Sequence, residues 1–212
     1  MSELISIADD GAGQSRVALE GCIEAGGVAV FPADTLYGLA CDPLSAAAVA
    51  RVHEMKGRSD GKPSAVLFFS VLAMRELLGG LEPRTREALA ELLPGPVTAV
   101  VTNRERRYPL ACGSDPERLG VRLIEGPLAG VRTPVFQTSA NRSGEAAAHR
   151  LCDVDSELIA AADLAIDGGE LFGEPSTVLD LTGIESGDPW QVLREGALAA
   201  TDIRRLLAGL TD

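Results

Sequence analysis

The sequence predicts an α/β fold: a single domain with a twisted mixed β-sheet, flanking helices and a ligand-binding cleft. Short apolar runs of strand length alternate with segments that carry apolar residues at helical spacing. The chain has 212 residues, enough for one large domain with a sizeable core. Without a repeat, a low-complexity tract or a long linker, we expect one domain over residues 1–212 with its core at about 12–207.

Helix and strand signals follow one another along the chain. Ser45 is a typical N-cap, and Gly57 stands just beyond the end of the helix that Ser45 begins. The predicted helices are Gln14–Ala25, Ser45–Met55, Val71–Leu78, Pro83–Leu93, Asp153–Ala161 and a last helix capped by Thr201 that runs to about Leu210. The predicted strands are Gly27–Phe31, Ser64–Phe69, Val97–Thr102, Leu119–Leu123, Pro134–Gln137, Leu164–Asp167, Thr177–Leu181 and Gln191–Arg194. This interleaving favours a three-layer or open α/β domain.

Composition excludes several classes of protein. The net charge is −12, which counts against non-specific binding to nucleic acid because such binding depends on neutralising phosphates. No apolar run is long enough to span a bilayer, and the acidic N-terminus lacks a signal pattern, so we expect a cytoplasmic protein with no membrane contact. Two histidines and four scattered cysteines do not suit a closed structural metal site.

The two lysines of the chain, Lys56 and Lys62, both lie in one short loop between a predicted helix and a predicted strand. Lys56 and Arg58 flank the end of that helix, where the helix dipole favours cations in any case. One interpretation is therefore helix capping by solvated charges. The other is a clamp for phosphate oxygens, since arginine offers a bidentate fork and lysine a compact charge.

Polar side chains at strand ends are candidate ligands. Ser139 and Asn141 follow a strand, where they either form a turn or face a ligand at the edge of the sheet. Ser176, before another strand, leaves the same two interpretations open. Thr35 and Tyr37 alternate with Leu36 in an extended segment, so both can point into one cavity, although Tyr37 also suits a core aromatic.

Two charged residues complete the candidate set. Arg122 lies between apolar neighbours in a strand, so it faces either solvent or, pointing inward, a carboxylate ligand. Asp34 either helps to hold magnesium, orients its loop or caps a turn.

Four segments of the chain, in order, resemble one known family. They are Phe31–Leu39 (FPADTLYGL), Lys56–Pro63 (KGRSDGKP), Pro94–Thr98 (PGPVT) and Thr138–Gly144 (TSANRSG). Together with smaller matches such as Gly120–Arg122 and Val192–Arg194, they span about Gly26 to Leu207. The chain is thus identified as resembling the threonylcarbamoyl-AMP synthases, which have a YrdC-like domain, in their short single-domain form.

The resemblance implies an activity, a site and partners. The expected enzyme is a nucleotidyltransferase that makes threonylcarbamoyl-AMP and pyrophosphate from ATP, L-threonine and bicarbonate, for a separate tRNA threonylcarbamoyl transferase. Magnesium is expected to enter with ATP. The residues that the resemblance assigns are Lys56 and Arg58 for catalysis, Lys56, Arg58, Ser139, Asn141 and Arg194 for ATP, and Thr35, Arg122 and Ser176 for threonine.

Some positions depart from the family pattern. Ala33 replaces a threonine that the family associates with threonine binding, and Leu67 falls where some members carry a histidine. The segment Glu145–His149 replaces a Pro-x-Pro-Thr motif. We therefore expect weak threonine binding and relaxed discrimination against serine.

Two alternatives come from other classes. One is a YrdC-like module that binds double-stranded RNA or tRNA without synthase activity, and the charge of −12 counts against it. The other is a carbamoyl-chemistry relative from hydrogenase maturation, whose zinc-finger and acylphosphatase parts do not occur in this sequence.

Overall fold

A ten-stranded mixed β-sheet organises the chain. The computed structural model describes residues 2–57 and 61–210. The strands are β1 (Glu3–Ser6), β2 (Ala29–Pro32), β3 (Tyr37–Cys41), β4 (Ala65–Phe68), β5 (Val97–Thr102), β6 (Arg118–Leu123), β7 (Val135–Ser139), β8 (Leu164–Asp167), β9 (Thr177–Asp180) and β10 (Gln191–Arg194). The α-helices are α1 (Ile7–Glu24), α2 (Ala46–Met55), α3 (Val71–Gly79), α4 (Pro83–Leu92), α5 (Ser156–Ala161) and α6 (Ala200–Leu206).

The strand order across the sheet is β1-β8-β2-β3-β7-β4-β6-β5-β9-β10. The pairs β1–β8, β8–β2, β4–β6 and β5–β9 are parallel, and the remaining neighbours are antiparallel. The prediction of a mixed sheet within an α/β fold is therefore confirmed.

The two faces of the sheet differ in what covers them. In β5 the side chains alternate between buried positions such as Val97 and Ala99 and half-buried ones such as Thr98. The buried set faces the main core, which the apolar sides of α2, α3, α4, α5 and α6 complete. The opposite side, which we call the second face, carries a smaller apolar cluster to which α1 is the one described helix that contributes.

The second face consists of two parts. Over β1, β8 and β2, Leu19 and Ile23 of α1 pack on Phe31, Leu164 and Ile166, and we call this part the covered half. The open half is the part over β6, β5 and β9 and over the Ala65 and Gln137 ends of β4 and β7. Leu67 and Val135, farther along those two strands, belong to the apolar cluster. The half-buried side chains of β5 lie there. No described helix covers it, so this face remains available to a ligand.

At the N-terminus, the structure corrects the sequence prediction. The first helix begins at Ile7 rather than at Gln14, because Ser6 accepts a hydrogen bond from the Asp9 amide and so caps it. Gly11, with φ of 84°, interrupts the helix, and the interruption explains why its first turns lack a clear helical pattern. Strand β1, which the prediction omitted, pairs with β8 at the edge of the sheet.

Elsewhere the caps decide the boundaries. Ser45 accepts from the Ala48 amide, as predicted. The fifth helix begins at Ser156, later than predicted, because Asp155 caps it by accepting from the Glu157 amide. The predicted cap at Thr201 is wrong: Thr201 lies inside α6, which begins at Ala200 and ends at Leu206.

Candidate active site

A cavity of about 650 Å³ occupies the open half of the second face. Alternate residues of neighbouring strands form its floor, because side chains two apart on a strand share a face. These floor residues are Thr98 and Val100 of β5, Arg118 and Arg122 of β6, Gln137 of β7 and Val178 of β9. The alternation of side chains along the strands thus brings polar groups from distant parts of the chain to the floor of one cavity.

Six of the eight predicted site residues line this cavity: Thr35, Arg122, Ser139, Asn141, Ser176 and Arg194. Of the other two, Lys56 lies behind the wall and contacts two of the lining residues. Arg58 lies outside the described residues. The residues predicted to bind threonine and those predicted to bind the nucleotide therefore line one cavity.

Lys56 holds the segment that carries Ser139 and Asn141. It is the C-cap residue of α2 and is 4% exposed. Its ammonium group donates to the Ser139 carbonyl oxygen, to the Asn141 carbonyl oxygen at 2.6 Å and to Asn141 Oδ1 at 3.3 Å. In return, the Ser143 amide donates to the Lys56 carbonyl oxygen at 3.0 Å. The interpretation as a solvated cap is therefore wrong, and the phosphate contact of Lys56 stays a prediction.

Ser139 and Asn141 form a small network with each other. The Ser139 hydroxyl donates to Asn141 Oδ1, which also accepts from Lys56. The Asn141 amide nitrogen donates to the carbonyl oxygens of Arg142 at 2.9 Å and Glu145 at 2.7 Å. Both side chains consequently have fixed positions at the cavity wall.

Arg122 points inward rather than to solvent. It is 4% exposed, and it donates from Nη1 to Gln137 Oε1 at 3.3 Å and from Nη2 to the Asp34 carboxylate. Burial lowers the pKa of the Arg122 guanidinium, and the Asp34 charge opposes that effect. Asp34, for which the sequence left three roles open, thus forms a buried ion pair that ties its loop to β6.

Arg194 lies close to Arg122 in the same cavity. Its Nη2 donates to the Ser176 carbonyl oxygen at 2.6 Å and lies 3.3 Å from the Ser176 hydroxyl. That hydroxyl also pairs with Thr98 Oγ1 at 2.9 Å. Burial lowers the pKa of Arg194, and the positive charge of Arg122 lowers it further. Within the described chain, Arg194 has no carboxylate partner, so the two arginines create a site for an anion.

Arg118 is a lining residue that the sequence prediction missed. It lies four residues before Arg122 on β6 and therefore on the same face. Its Nη2 donates to Asp180 at 2.6 Å, and its Nη1 donates to Thr182 Oγ1 at 3.4 Å. The period-two spacing of Arg118 and Arg122 was the signal that could have found it.

Two departures from the family pattern lie away from the cavity. Ala33 is 7% exposed and packs in the apolar cluster of the second face, as does Leu67. Neither is among the described residues that line the cavity. The structure therefore does not place residue 33 in the predicted threonine pocket, and the neighbouring Thr35 lines it instead.

Tyr37 fits the interpretation as a core aromatic, although its ring also reaches the cavity wall. Its hydroxyl lies 3.1 Å from Asp167 Oδ1 and 2.9 Å from the Gly169 carbonyl oxygen, and it accepts from the Gly168 amide at 2.9 Å. Burial raises the pKa of Tyr37 to about 12. The phenol consequently ties the loop after β8 to β3.

The fold and the site define an α/β protein with a polar cavity, rich in arginines and hydroxyls, on the open half of its sheet. The chain belongs to the Sua5/YciO/YrdC family, described as "Telomere recombination", whose model matches residues 21–196.

Relatives cover most of the chain. A threonylcarbamoyl-AMP synthase from Chromohalobacter salexigens is 33% identical over 169 residues, which are 76% of this chain and 89% of the relative. The crystal structure of P. abyssi Sua5 complexed with L-threonine is similar with a TM-score of 0.82 and 28% identity, over 98% of this chain and 61% of that one. The crystal structure of E. coli YciO, at 24% identity and a TM-score of 0.78, covers 96% of this chain and all of YciO, and shows the fold alone.

Within residues 2–57 and 61–210, no helix is both long and apolar enough to cross a membrane. No three histidine, cysteine, aspartate or glutamate side chains in that part of the chain lie close enough together to hold a metal ion.

Proposed function

We propose that this protein is an L-threonylcarbamoyladenylate synthase, which makes threonylcarbamoyl-AMP and pyrophosphate from ATP, L-threonine and bicarbonate. The observation that carries the proposal is the convergence of Arg122 and Arg194 in one cavity with Ser176 and Thr35. Two basic groups suit the anionic groups of the two substrates, the threonine carboxylate and the ATP polyphosphate. The synthase names of the relatives and the threonine complex of P. abyssi Sua5 support it.

In the proposed reaction, the threonine amine takes up CO₂ from bicarbonate and becomes a carbamate, with loss of water. A carbamate oxygen then attacks the α-phosphorus of ATP, and the bond to the β-phosphate oxygen breaks to release pyrophosphate. Because the carbamate is already anionic, the step needs orientation and charge stabilisation more than a strong base.

We assign the roles of the side chains as follows. Arg122 binds the threonine carboxylate, with Thr35 and Ser176 beside it. Arg194, Ser139 and Asn141 hold the nucleotide, Lys56 keeps the Ser139–Asn141 segment in place, and Arg58 contacts the phosphates. Magnesium is part of the ATP substrate in this scheme.

The product is a mixed anhydride that water hydrolyses, so we propose direct transfer to a tRNA threonylcarbamoyl transferase in the cytoplasm.

Pyrophosphate release tests the proposal. Purified protein is supplied with MgATP and bicarbonate, with and without L-threonine, and the adenylate product is identified by mass spectrometry. We expect release that depends on both threonine and bicarbonate. Release that is independent of threonine, or absent, contradicts the proposal, and a salt-dependent titration with double-stranded RNA then tests the RNA-binding alternative.

A further inference from the structure

The ion pair between Arg122 and Asp34 is incomplete. Arginine and a carboxylate can form two parallel hydrogen bonds, yet here one guanidinium nitrogen reaches one carboxylate oxygen. Arg122 Nε and Asp34 Oδ2 are both buried, and neither has a hydrogen-bond partner in the described part of the chain. A buried donor and a buried acceptor without partners are each costly, so this arrangement calls for a functional explanation.

The position of the pair points to a ligand. Arg122 is 4% exposed and lines the main cavity, whereas Asp34 lines a smaller cavity of about 320 Å³ between the Pro94–Pro96 segment and Phe172. Thr35 lines both cavities, so the pair lies in the wall between them. A donor and an acceptor without partners, on the two members of one ion pair, match a ligand that carries both an acceptor and a donor.

We propose that Asp34 binds the α-ammonium group of the amino-acid substrate while Arg122 binds its carboxylate. The inference rests on the proposed function and adds a residue that the family motif did not assign to the substrate. An α-amino acid carries both charges on adjacent atoms, so one zwitterion completes both halves of the pair. Rotation about the Cβ–Cγ bond of Asp34 can turn either carboxylate oxygen toward the substrate. One oxygen then accepts a hydrogen bond from Arg122 while the other accepts from the substrate ammonium.

This contact also gives Asp34 a place in the reaction. The ammonium form of the substrate has no lone pair for CO₂ and must lose a proton first. In the proposed site that proton moves from the substrate nitrogen to an Asp34 carboxylate oxygen and on to bicarbonate, which breaks into CO₂ and water. The free amine then forms its bond to the carbon of CO₂, and the second proton that the nitrogen loses passes through Asp34 to solvent. Asp34 thereby selects α-amino acids over acids that lack the amino group.

The test compares two ligands that differ in that group alone. L-Threonine and 3-hydroxybutyrate, which is threonine without its α-amino group, are titrated calorimetrically into the wild-type protein, Asp34→Asn and Glu125→Gln. Glu125 is an exposed carboxylate on the same small cavity, so its variant makes the same change of charge without altering the ion pair. We expect the wild type and Glu125→Gln to prefer threonine, and Asp34→Asn to lose at least tenfold of that preference.

The ratio of the two affinities separates this role from a purely structural one. If Asp34 serves only to hold Arg122, its loss weakens both ligands by the same factor, and an unchanged ratio overturns the inference. Tighter threonine binding by Asp34→Asn overturns it too, because Asp34 would then compete with the substrate carboxylate. Equal affinities in the wild type overturn it without any variant, so a folding defect cannot hide the answer. A wild type that binds no threonine contradicts the proposed function instead.

Discussion

The covered and open halves of the second face use the same strand geometry for opposite purposes. In the covered half, the side chains that point to this face are apolar, such as Phe31 and Ile166, and α1 seals them from water. In the open half, the equivalent positions carry Thr98, Arg122 and Gln137, and they line the cavity. Alternation decides which residues reach this face. Whether they form a core or a site depends on their polarity and on the absence of a covering helix.

The difference is also one of energetics. Apolar contacts in the covered half contribute stability roughly in proportion to the area that they bury. Charges in the open half are stabilised only by specific partners, since a buried charge that loses its partner is costly. Substitutions in the two halves should therefore separate stability from substrate binding.

Arg122→Gln should have the largest effect, because it acts on both properties. It leaves the Asp34 carboxylate without its counter-charge, which for a buried pair costs about 3 kcal/mol of the free energy of unfolding. It also removes the proposed carboxylate ligand, so threonine-dependent turnover should fall more than about 100-fold. Urea unfolding and pyrophosphate release measure the two effects.

The double variant Arg122→Gln/Asp34→Asn is the control for the Arg122 prediction. Stability should partly recover, since neither charge is left alone, while turnover stays low. Full turnover in the single variant would show that Arg122 is no part of the site.

Ile166→Ala tests the covered half. Ile166 is fully buried, so the truncation leaves a cavity and should lower the free energy of unfolding by about 3 kcal/mol. The KM values for ATP and threonine should remain those of the wild type at temperatures where the variant is folded. A rise in either KM would mean that the two halves are coupled and would break the comparison.

Lys56→Met tests whether the wall of the open half depends on one ammonium group. It removes the hydrogen bonds from Nζ to Ser139 and Asn141, so nucleotide binding should weaken about tenfold to a hundredfold, or about 2 kcal/mol. Arg104→Met is the matched control, because Arg104 is an exposed cation that pairs with Glu82 on the surface. Equal nucleotide affinities for the two variants would refute the role of Lys56 in the wall.

The last prediction concerns the pH dependence of stability and a thiol in the main core. Burial raises the pKa of the Cys41 thiol from its ordinary 9.0 to about 12, and Asp42 adds to the shift. Because the folded pKa lies above the unfolded one, this contribution to stability is complete below pH 9 and is lost as pH rises from about 9 to 12. Unfolding free energy should fall there by up to about 1.4 kcal/mol per pH unit, and less steeply in Cys41→Ala. Identical slopes would mean that the thiol is not protected from water.

The sequence predicted the mixed α/β class and most of the elements because their apolar periodicity is local. It missed β1, whose four residues gain their strand conformation from pairing with β8 more than 150 residues away. It also predicted no strand between Gly27–Phe31 and Ser64–Phe69, whereas Tyr37–Cys41 forms a central strand between β2 and β7. Strand pairings of this kind depend on the topology of the whole sheet, so the residues of one short segment do not reveal them.

For the site, the motifs predicted the residues, and the structure adds their hydrogen-bond partners. The position of Lys56 at a helix end was visible, but its contact with Ser139, 83 residues later, was not. The pairing of Asp34 with Arg122 spans 88 residues and was likewise invisible. Contacts that cross the sheet follow from strand order, which one sequence does not state.

The position of β9 and β10 has a consequence for biosynthesis. These strands come late in the chain, yet β9 pairs with β5, and Ser176 and Arg194 complete the cavity. A nascent chain that has emerged through β8 already contains every strand of the covered half, so its apolar layer can form during translation. The cavity wall is completed only when the last strands dock. A chain interrupted between β8 and β9 would therefore leave β5 as an unpaired edge, exposed to aggregation and to proteases, and would lack the part of the cavity wall that Ser176 and Arg194 form.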